Sequence, residues 1–452
     1  MHALGRWSAN QSPKPRHGYL LLPRGDSLEE RASWDVVDGQ DCDLEGGEES
    51  GRLTRPISPL HTPVWWTRFF LYLGLFCTSV FVALRYEQPG DVRYRPQWQE
   101  AILHPRPTGY ATQAEKVFIA AMFRDNEKVI PYWADSLIKT VLYLGSDNVF
   151  VSIVESHSSD RSSELLLKLD ARLAALQVSR RILTQDDAVE RPDDMGGNNR
   201  IEFLAALRNR ALEPLVEEGG YDKVVFSNDI FIEPETFVEL LNTAEGQYDI
   251  ACGMDFAHLG SYDMWVLRDK QGKLTSGIWP YFFDETDYRA MLTESPVPVF
   301  TCWNGIIVVQ ADPLIPIPLR SNRTLSPDAL PYNLPSTHPA AHDPSLRGPS
   351  PALTPPARFR ASAPGECFSS ESFLLPYDLR RLFNMQRVFV NPRVIVGYQW
   401  RFYVYFKWFM RHPVLKWWVE KVYAGAWMQR DVLVLGDPTQ VWWWDGGDCH
   451  PG

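Results

Sequence analysis

The sequence predicts an α/β fold on a parallel sheet, preceded by a single transmembrane helix. Three observations predict it. Short β-branched runs alternate with amphipathic helical stretches between Lys116 and Phe256. Polar residues collect where several of those runs end. One apolar run, Val64 to Leu84, stands ahead of them all, with Arg68 its only charge. Alternating strands and helices imply right-handed crossovers, and such sheets bind ligands outside the carboxyl ends of their strands.

The elements follow in order. Residues 1–62 are rich in Gly, Ser, Pro and acids and hold no sustained apolar period, so a disordered cytosolic tail is expected. Residues 63–86 read as a signal anchor, with Trp65 and Trp66 suited to the aromatic belt. Residues 87–112 read as a stem. The stretch KVFIAAMF is a strand, VIPYWADSLIKTVLYLG a helix and NVFVSIVES a strand. SSDRSSELLLKLDARLAALQ is a helix with Leu165, Leu169, Leu173 and Leu176 on one face. VSRRILT is a strand, RIEFLAALRNRALEPLVEE a helix, YDKVVFSND a strand, PETFVELLNTA a helix opened by Pro234, and DIACGMDF a strand. A catalytic domain over 113–400 is expected to carry a Pro-rich insertion at 312–357. Residues 401–452 form an aromatic-rich helix and tail, suited either to a membrane surface or to packing on the domain.

Composition narrows the chemistry. The net charge of -11, without a dense Lys/Arg cluster, argues against nucleic acid as a partner. No CxxC pair occurs among the six Cys, which argues against zinc; one or two disulfides are expected if the later part is lumenal. No GxGxxG follows the first strand and no GxxxxGK[ST] occurs. The 17 Trp, 18 Tyr and 23 Phe suit both a core and sugar-binding clefts. The sequon Asn322-Arg323-Thr324 fits a lumenal domain.

Five features carry candidate chemistry. KVVFSNDIFIEP runs a strand into Ser227-Asn228-Asp229, where Asp229 can supply a carboxylate to Mg²⁺ or Mn²⁺. Arg208-Asn209, on the preceding helix, suits phosphate, whereas Arg210 fits a solvated face. Asp255 and Asp263 can each orient a hydroxyl or serve as a catalytic carboxylate. In CWNGIIVV, Trp303 can stack on a sugar and Asn304 can hydrogen-bond to it. Glu371, where a helix begins in ECFSSESFLLPYDL, is either catalytic or a complement to the helix dipole.

Taken in order, VFIAAMFRDNEKVIPYW, NVFVSIVESHSSD, RIEFLAALRNRALEPL, KVVFSNDIFIEP, YDIACGMDF, YDMWVLRDKQG, PYF, VPVFTCWNGIIVV, FRASAPGECFSSES and VFVNPRVIVGY resemble the fungal capsule-associated α-1,3-mannosyltransferase family, over roughly Lys116 to Tyr398 less the insertion. The resemblance implies a single-pass type II protein of the Golgi or another secretory-pathway membrane. It implies a lumenal, GT-A-like, Rossmann-type nucleotide-sugar-binding domain. Such an enzyme would move mannose from GDP-mannose to a mannose-containing glycan, form an α-1,3 link with retention, and need Mn²⁺ or Mg²⁺. Carried onto this chain, Asp229 contacts the metal with Asn228 beside it. Glu155, Ser156 and the residues to Asp160 line the donor site with Arg208 and Asn209. Cys302 and Cys367 lie in the family's Cys-bearing blocks and can pair. Retention needs a carboxylate nucleophile, Asp255 or Glu371, or attack from the leaving-group face. The Pro-rich insertion departs from the family, as does Ser227 where an acidic residue is usual. A transferase of another donor sugar, a non-catalytic protein of polysaccharide assembly or export, and a glycan-binding module are the rival readings.

Overall fold

The computed structural model describes residues 62–85, 87–111, 115–321, 356–362 and 368–422, with breaks at 258–259, 264–265, 271, 273–274, 278, 280 and 384. The tail, the sequon, Cys367 and most of the Pro-rich insertion lie outside the described residues. The chain divides into units 1–70 and 71–452. In the first, only the start of helix α1, Thr62–Arg85, is described.

Among the described residues, no helix is long and apolar enough to cross a membrane. Helix α1 nevertheless covers the expected anchor, and from Trp66 to Phe81 its side chains are exposed. The side chains at 62–65 and 82–84 fall outside the description.

The stretch expected as a stem is packed onto the domain. Helix α2, Arg95–Leu103, buries Ala101, and Tyr94 just before it is also buried. Asp91 takes a bidentate bond from the buried Arg411, at 2.7 and 2.9 Å. Burial alone would raise the Asp91 carboxyl, but Lys407 and Arg411 hold it below the usual range.

The first half of the sheet follows the alternation in the sequence. Its elements are β1 Val117–Phe123, α3 Ile130–Leu144, β2 Val149–Glu155, α4 Ser162–Ala175, β3 Ser179–Leu183, α5 Gly197–Glu218, β4 Lys223–Ser227, α6 Pro234–Leu241 and β5 Ile250–Ala257. After β5 come β6 Gly260–Ser261, β7 Arg268–Asp269, α7 Glu285–Leu292, β8 Val297–Thr301 and β9 Ile306–Gln310. Helix α8, Glu371–Phe383, and β10, Val388–Gly397, follow the insertion. The strand order is β3-β2-β1-β4-β9-β5-β10-β8-β7, with β6 on β5. Strands β3, β2, β1 and β4 are parallel. β9 lies antiparallel between β4 and β5, so the sheet is mixed rather than purely parallel.

Period-two alternation sorts β1 between two cores. Phe118 and Ala120 pack with Leu207, Ala211 and Leu215 of α5 and with Phe373 and Leu379 of α8. Val117, Ile119 and Ala121 pack with Trp133, Leu137 and Val141 of α3, with Leu166, Leu169 and Leu173 of α4, and with Phe237 of α6. Each fully buried large apolar side chain contributes about 1.5–3 kcal/mol relative to exposure. Helix α3 leaves β1 on one face and α5 enters β4 on the other. The order therefore reverses between β1 and β4, and at such a switch point the ligand crevice of an α/β sheet lies outside the strands' carboxyl ends.

Candidate active site

The crevice is lined by residues just beyond the strand ends. Asn126 follows β1 and Asp229 follows β4, and the Asn126 amide donates to Asp229 Oδ2 at 2.7 Å. Asp229 keeps some solvent contact. Burial pushes its carboxyl up to about 6, while the Asn126 bond and the charge of Arg208 act the other way. Below Asp229, Trp133 donates its indole N–H to Ser227 Oγ at 2.9 Å, which fixes the end of β4 against α3.

A polar chain runs behind these residues. Arg208 Nε donates to Glu371 Oε1 at 3.0 Å, and its Nη1 donates to Asn228 Oδ1 at 3.3 Å. Asn228 Nδ2 donates to the Tyr398 hydroxyl at 2.9 Å, and that hydroxyl donates to Asp255 Oδ2 at 3.4 Å. Asn304 Nδ2 and the backbone N–H of Asp263 both reach Asp255 Oδ1, at 3.1 and 3.2 Å. Gly305, at φ +78°, lets the backbone pass here: a Cβ would stand 2.9 Å from Val396 and 3.1 Å from the Asp255 side chain.

Negative charge is concentrated in this place. Burial raises Asp255 to about 6. Burial, then Asp255, then Glu371 push Asp263 well above the usual range. Burial and the charges of Asp255, Asp263 and Asp229 also raise the Tyr398 hydroxyl. A bound cation would reverse each of these penalties on the carboxylates.

Among the described residues, no three His, Cys, Asp or Glu side chains come together around one cation position. Mg²⁺ needs only one or two carboxylates where substrate phosphates and water complete its shell. A half-buried carboxylate at a crevice, with two further carboxylates behind it, fits that kind of site.

Several site residues stand where the sequence does not place them. Trp303 is fully buried, so no sugar can stack on it; its indole N–H donates to Asn228 Oδ1 at 3.1 Å, and Arg208 lies 4.3 Å over its ring. Asn209 exchanges two bonds with the Phe359 backbone, at 2.8 and 2.9 Å, and so holds the chain after the insertion rather than a donor. Cys302 pairs with Cys252, not with Cys367.

Glu155 is fully buried and accepts from the backbone of Ser158 and Gln185, at 3.1 and 2.8 Å; it shapes the loop after β2 from below. Ser156 beside it is also buried. Asp255 is sealed and bonded on both oxygens, which makes it a positioning carboxylate. Glu371 opens α8 as expected but is buried against Arg208. Arg210 is only partly exposed and pairs with Asp186 and Glu213.

Tyr398 and Asn126 are functional candidates that sequence reasoning passed over. Both stand in polar stretches directly after apolar strands, which was the available signal.

Next to the loop after β2, a cavity of about 510 Å³ opens between 189–193 and the first turns of α5, lined by Glu190, Arg191, Asp193, Asn199, Glu202 and Phe203 among others. His157 joins it to that loop: Nε2 lies 3.5 Å from the Val189 carbonyl, and the ring is 6.0 Å from Phe203.

An alpha-1,3-mannosyltransferase, CMT1, from Cryptococcus neoformans var. neoformans serotype D is 29% identical to this chain over 214 residues, covering 43% of this chain and 46% of that protein. This chain thus spans about half the length of that curated relative. Among solved structures, Staphylococcus aureus TarS residues 1–349 aligns at TM-score 0.32 and 13% identity, over 62% of this chain and 60% of that one. The mannosyltransferase PcManGT from Pyrobaculum calidifontis, in complex with GDP-Man and Mn²⁺, aligns at TM-score 0.30 and 11% identity, over 68% of this chain and 64% of that one. Residues 116–378, which hold every crevice residue except Tyr398, match the family described as Cryptococcal mannosyltransferase 1, and the chain belongs to that family.

Proposed function

We propose that the protein is an α-1,3-mannosyltransferase that moves mannose from GDP-mannose to a mannose-containing glycan, with retention, using Mn²⁺ or Mg²⁺ at Asp229. The observation that carries this reading is the Asn126–Asp229 contact across the crevice between β1 and β4, backed by the Arg208–Asn228–Tyr398–Asp255 chain. Family membership supports the mannosyl chemistry. The anchor reading, Val64 to Leu84 in a Golgi or other secretory-pathway membrane with a lumenal domain, belongs to the same proposal.

The roles follow from position. Asp229 would hold the metal, which would supply positive charge to the donor diphosphate. Asn126 orients the carboxylate. Arg208 lends its charge to the crevice and fixes Asn228, which lies beside the metal residue. Tyr398 and Asn304 hold Asp255, so the wall of the crevice is set before substrate arrives. The cavity beside His157 takes the nucleoside, whose N–H groups meet the carboxylates of Glu190, Asp193 or Glu202. In the transfer, the bond from the anomeric carbon to the diphosphate oxygen breaks. A bond to the acceptor oxygen forms, and the acceptor proton passes to the leaving diphosphate.

The test is a donor screen with the full chain in detergent, followed by linkage analysis of the product. Mannose transfer from GDP-mannose yielding an α-1,3 product supports the reading. Turnover of a different sugar nucleotide, or a different linkage, overturns that part of it.

A further inference from the structure

With Trp303 sealed in the core, a sugar-facing ring must come from the rim of the crevice. Three chain segments leave the site and carry aromatics to one place. Phe231 lies two residues after Asp229, Trp400 two residues after Tyr398, and Tyr132 in the first turn of α3 beyond Asn126. Their ring centroids are 5.1 Å apart for Tyr132–Trp400, 5.4 Å for Tyr132–Phe231 and 5.5 Å for Phe231–Trp400.

Phe231 is buried and forms the base, whereas Tyr132 and Trp400 are 52% and 45% exposed. The Phe231 N–H bonds the Gly397 carbonyl at 2.8 Å, which ties the cluster to the residue preceding Tyr398. An extended chain advances at most about 3.6 Å per residue, so Trp400 and Phe231 each lie within about 7 Å of their site residue along the backbone. The exposed Tyr262 ring is 4.9 Å from that of Tyr398.

Large aromatics held exposed in a contiguous group mark a contact surface. Their electron-rich faces suit the C–H-lined face of a pyranose ring. Tyr132 and Trp400 present uncharged rings, which suits a neutral sugar.

We propose that Tyr132 and Trp400, seated on Phe231, form the platform that receives the acceptor, a neutral oligosaccharide. This rests on the transferase reading above. The surface continues to Trp408, 49% exposed and 6.4 Å from Trp400, so it extends beyond one aromatic pair and favours a disaccharide over a monosaccharide.

The experiment uses the full chain and measures transfer from GDP-mannose to methyl α-mannoside and to α-mannobiose, beside GDP release without acceptor. In the Tyr132→Ala/Trp400→Ala variant, the acceptor KM rises about tenfold or more, the scale seen when a stacking ring is removed. GDP release without acceptor stays at the wild-type rate, and Trp400→Phe restores most of the acceptor affinity. An unchanged acceptor KM overturns the proposal. Should no sugar nucleotide be turned over, the transferase reading falls by itself. Saturation-transfer NMR with α-mannobiose then decides the platform. Saturation of the sugar protons by the wild type that disappears with the variant upholds it. Saturation that persists with the variant, or that the wild type never produces, overturns it.

Discussion

Arg208 and Glu371, 163 positions apart in the chain, meet at 3.0 Å in a nearly water-free setting. The guanidinium also holds Asn228 and is covered by the rings of Trp303, Phe226 and Phe359. Helix α5, before β4, is thereby tied to α8, after the insertion. Removing one member of a buried pair leaves the other charge unpaired, at a cost of about 3–5 kcal/mol. Arg208→Ala should therefore lower stability by that order in urea unfolding and abolish donor turnover. Glu371→Gln, which keeps a hydrogen-bond acceptor for the guanidinium, should cost less and retain measurable turnover.

Stability and metal affinity should respond to pH in opposite directions. Asp229 and Asp255 each sit near 6 in the fold, above the ordinary value of 3.8. A raised folded value means the native state holds its proton more tightly, so the associated stability is full below about pH 4 and is lost as pH rises through about 6. Cation binding needs the ionised form, so Mn²⁺ affinity rises over the same window. Thermal melts at pH 5 and pH 7.5, with and without Mn²⁺, should show a larger metal-induced gain at pH 7.5.

Asn126 donates to the charged form of Asp229 and so favours ionisation. Asn126→Ala should raise the Asp229 carboxyl further. The acid limb of the pH–turnover profile then moves to higher pH, with little change at pH 8. A profile displaced equally at all pH values would contradict this role.

The Cys252–Cys302 bridge joins β5 to the turn between β8 and β9, across 50 residues. A loop of that length gains about 4 kcal/mol from closure if the effect is purely one of chain entropy. Peptide mapping without reduction should recover the two cysteines linked. Cys252→Ser and Cys302→Ser should lower the melting temperature by similar amounts.

Much of the first half of the fold was legible because period and punctuation agree there. Pro234 opens α6, and Leu169 and Leu173 mark the buried face of α4. The antiparallel insertion of β9 was not legible, because an apolar run such as Ile306–Gln310 carries no sign of its direction. Asp229 stood out as a carboxylate at a strand end. Trp303 and Asn209 misled because residue type shows which bonds a side chain can make, not whether it faces the crevice. Pairing of Cys302 with Cys252 depends on where β5 and β9 meet in the sheet, which spacing along the chain does not encode.

The proposed mechanism turns on Asp229 holding the metal that activates a GDP-mannose donor. GDP release from GDP-mannose by the full chain reads this step out, measured with Mn²⁺, with EDTA, and with Asp229→Asn. Release that requires Mn²⁺ and falls by at least about a hundredfold in Asp229→Asn is the predicted result, as expected for loss of a group stabilising the leaving charge. Release that persists in EDTA, or that survives in Asp229→Asn, would contradict it.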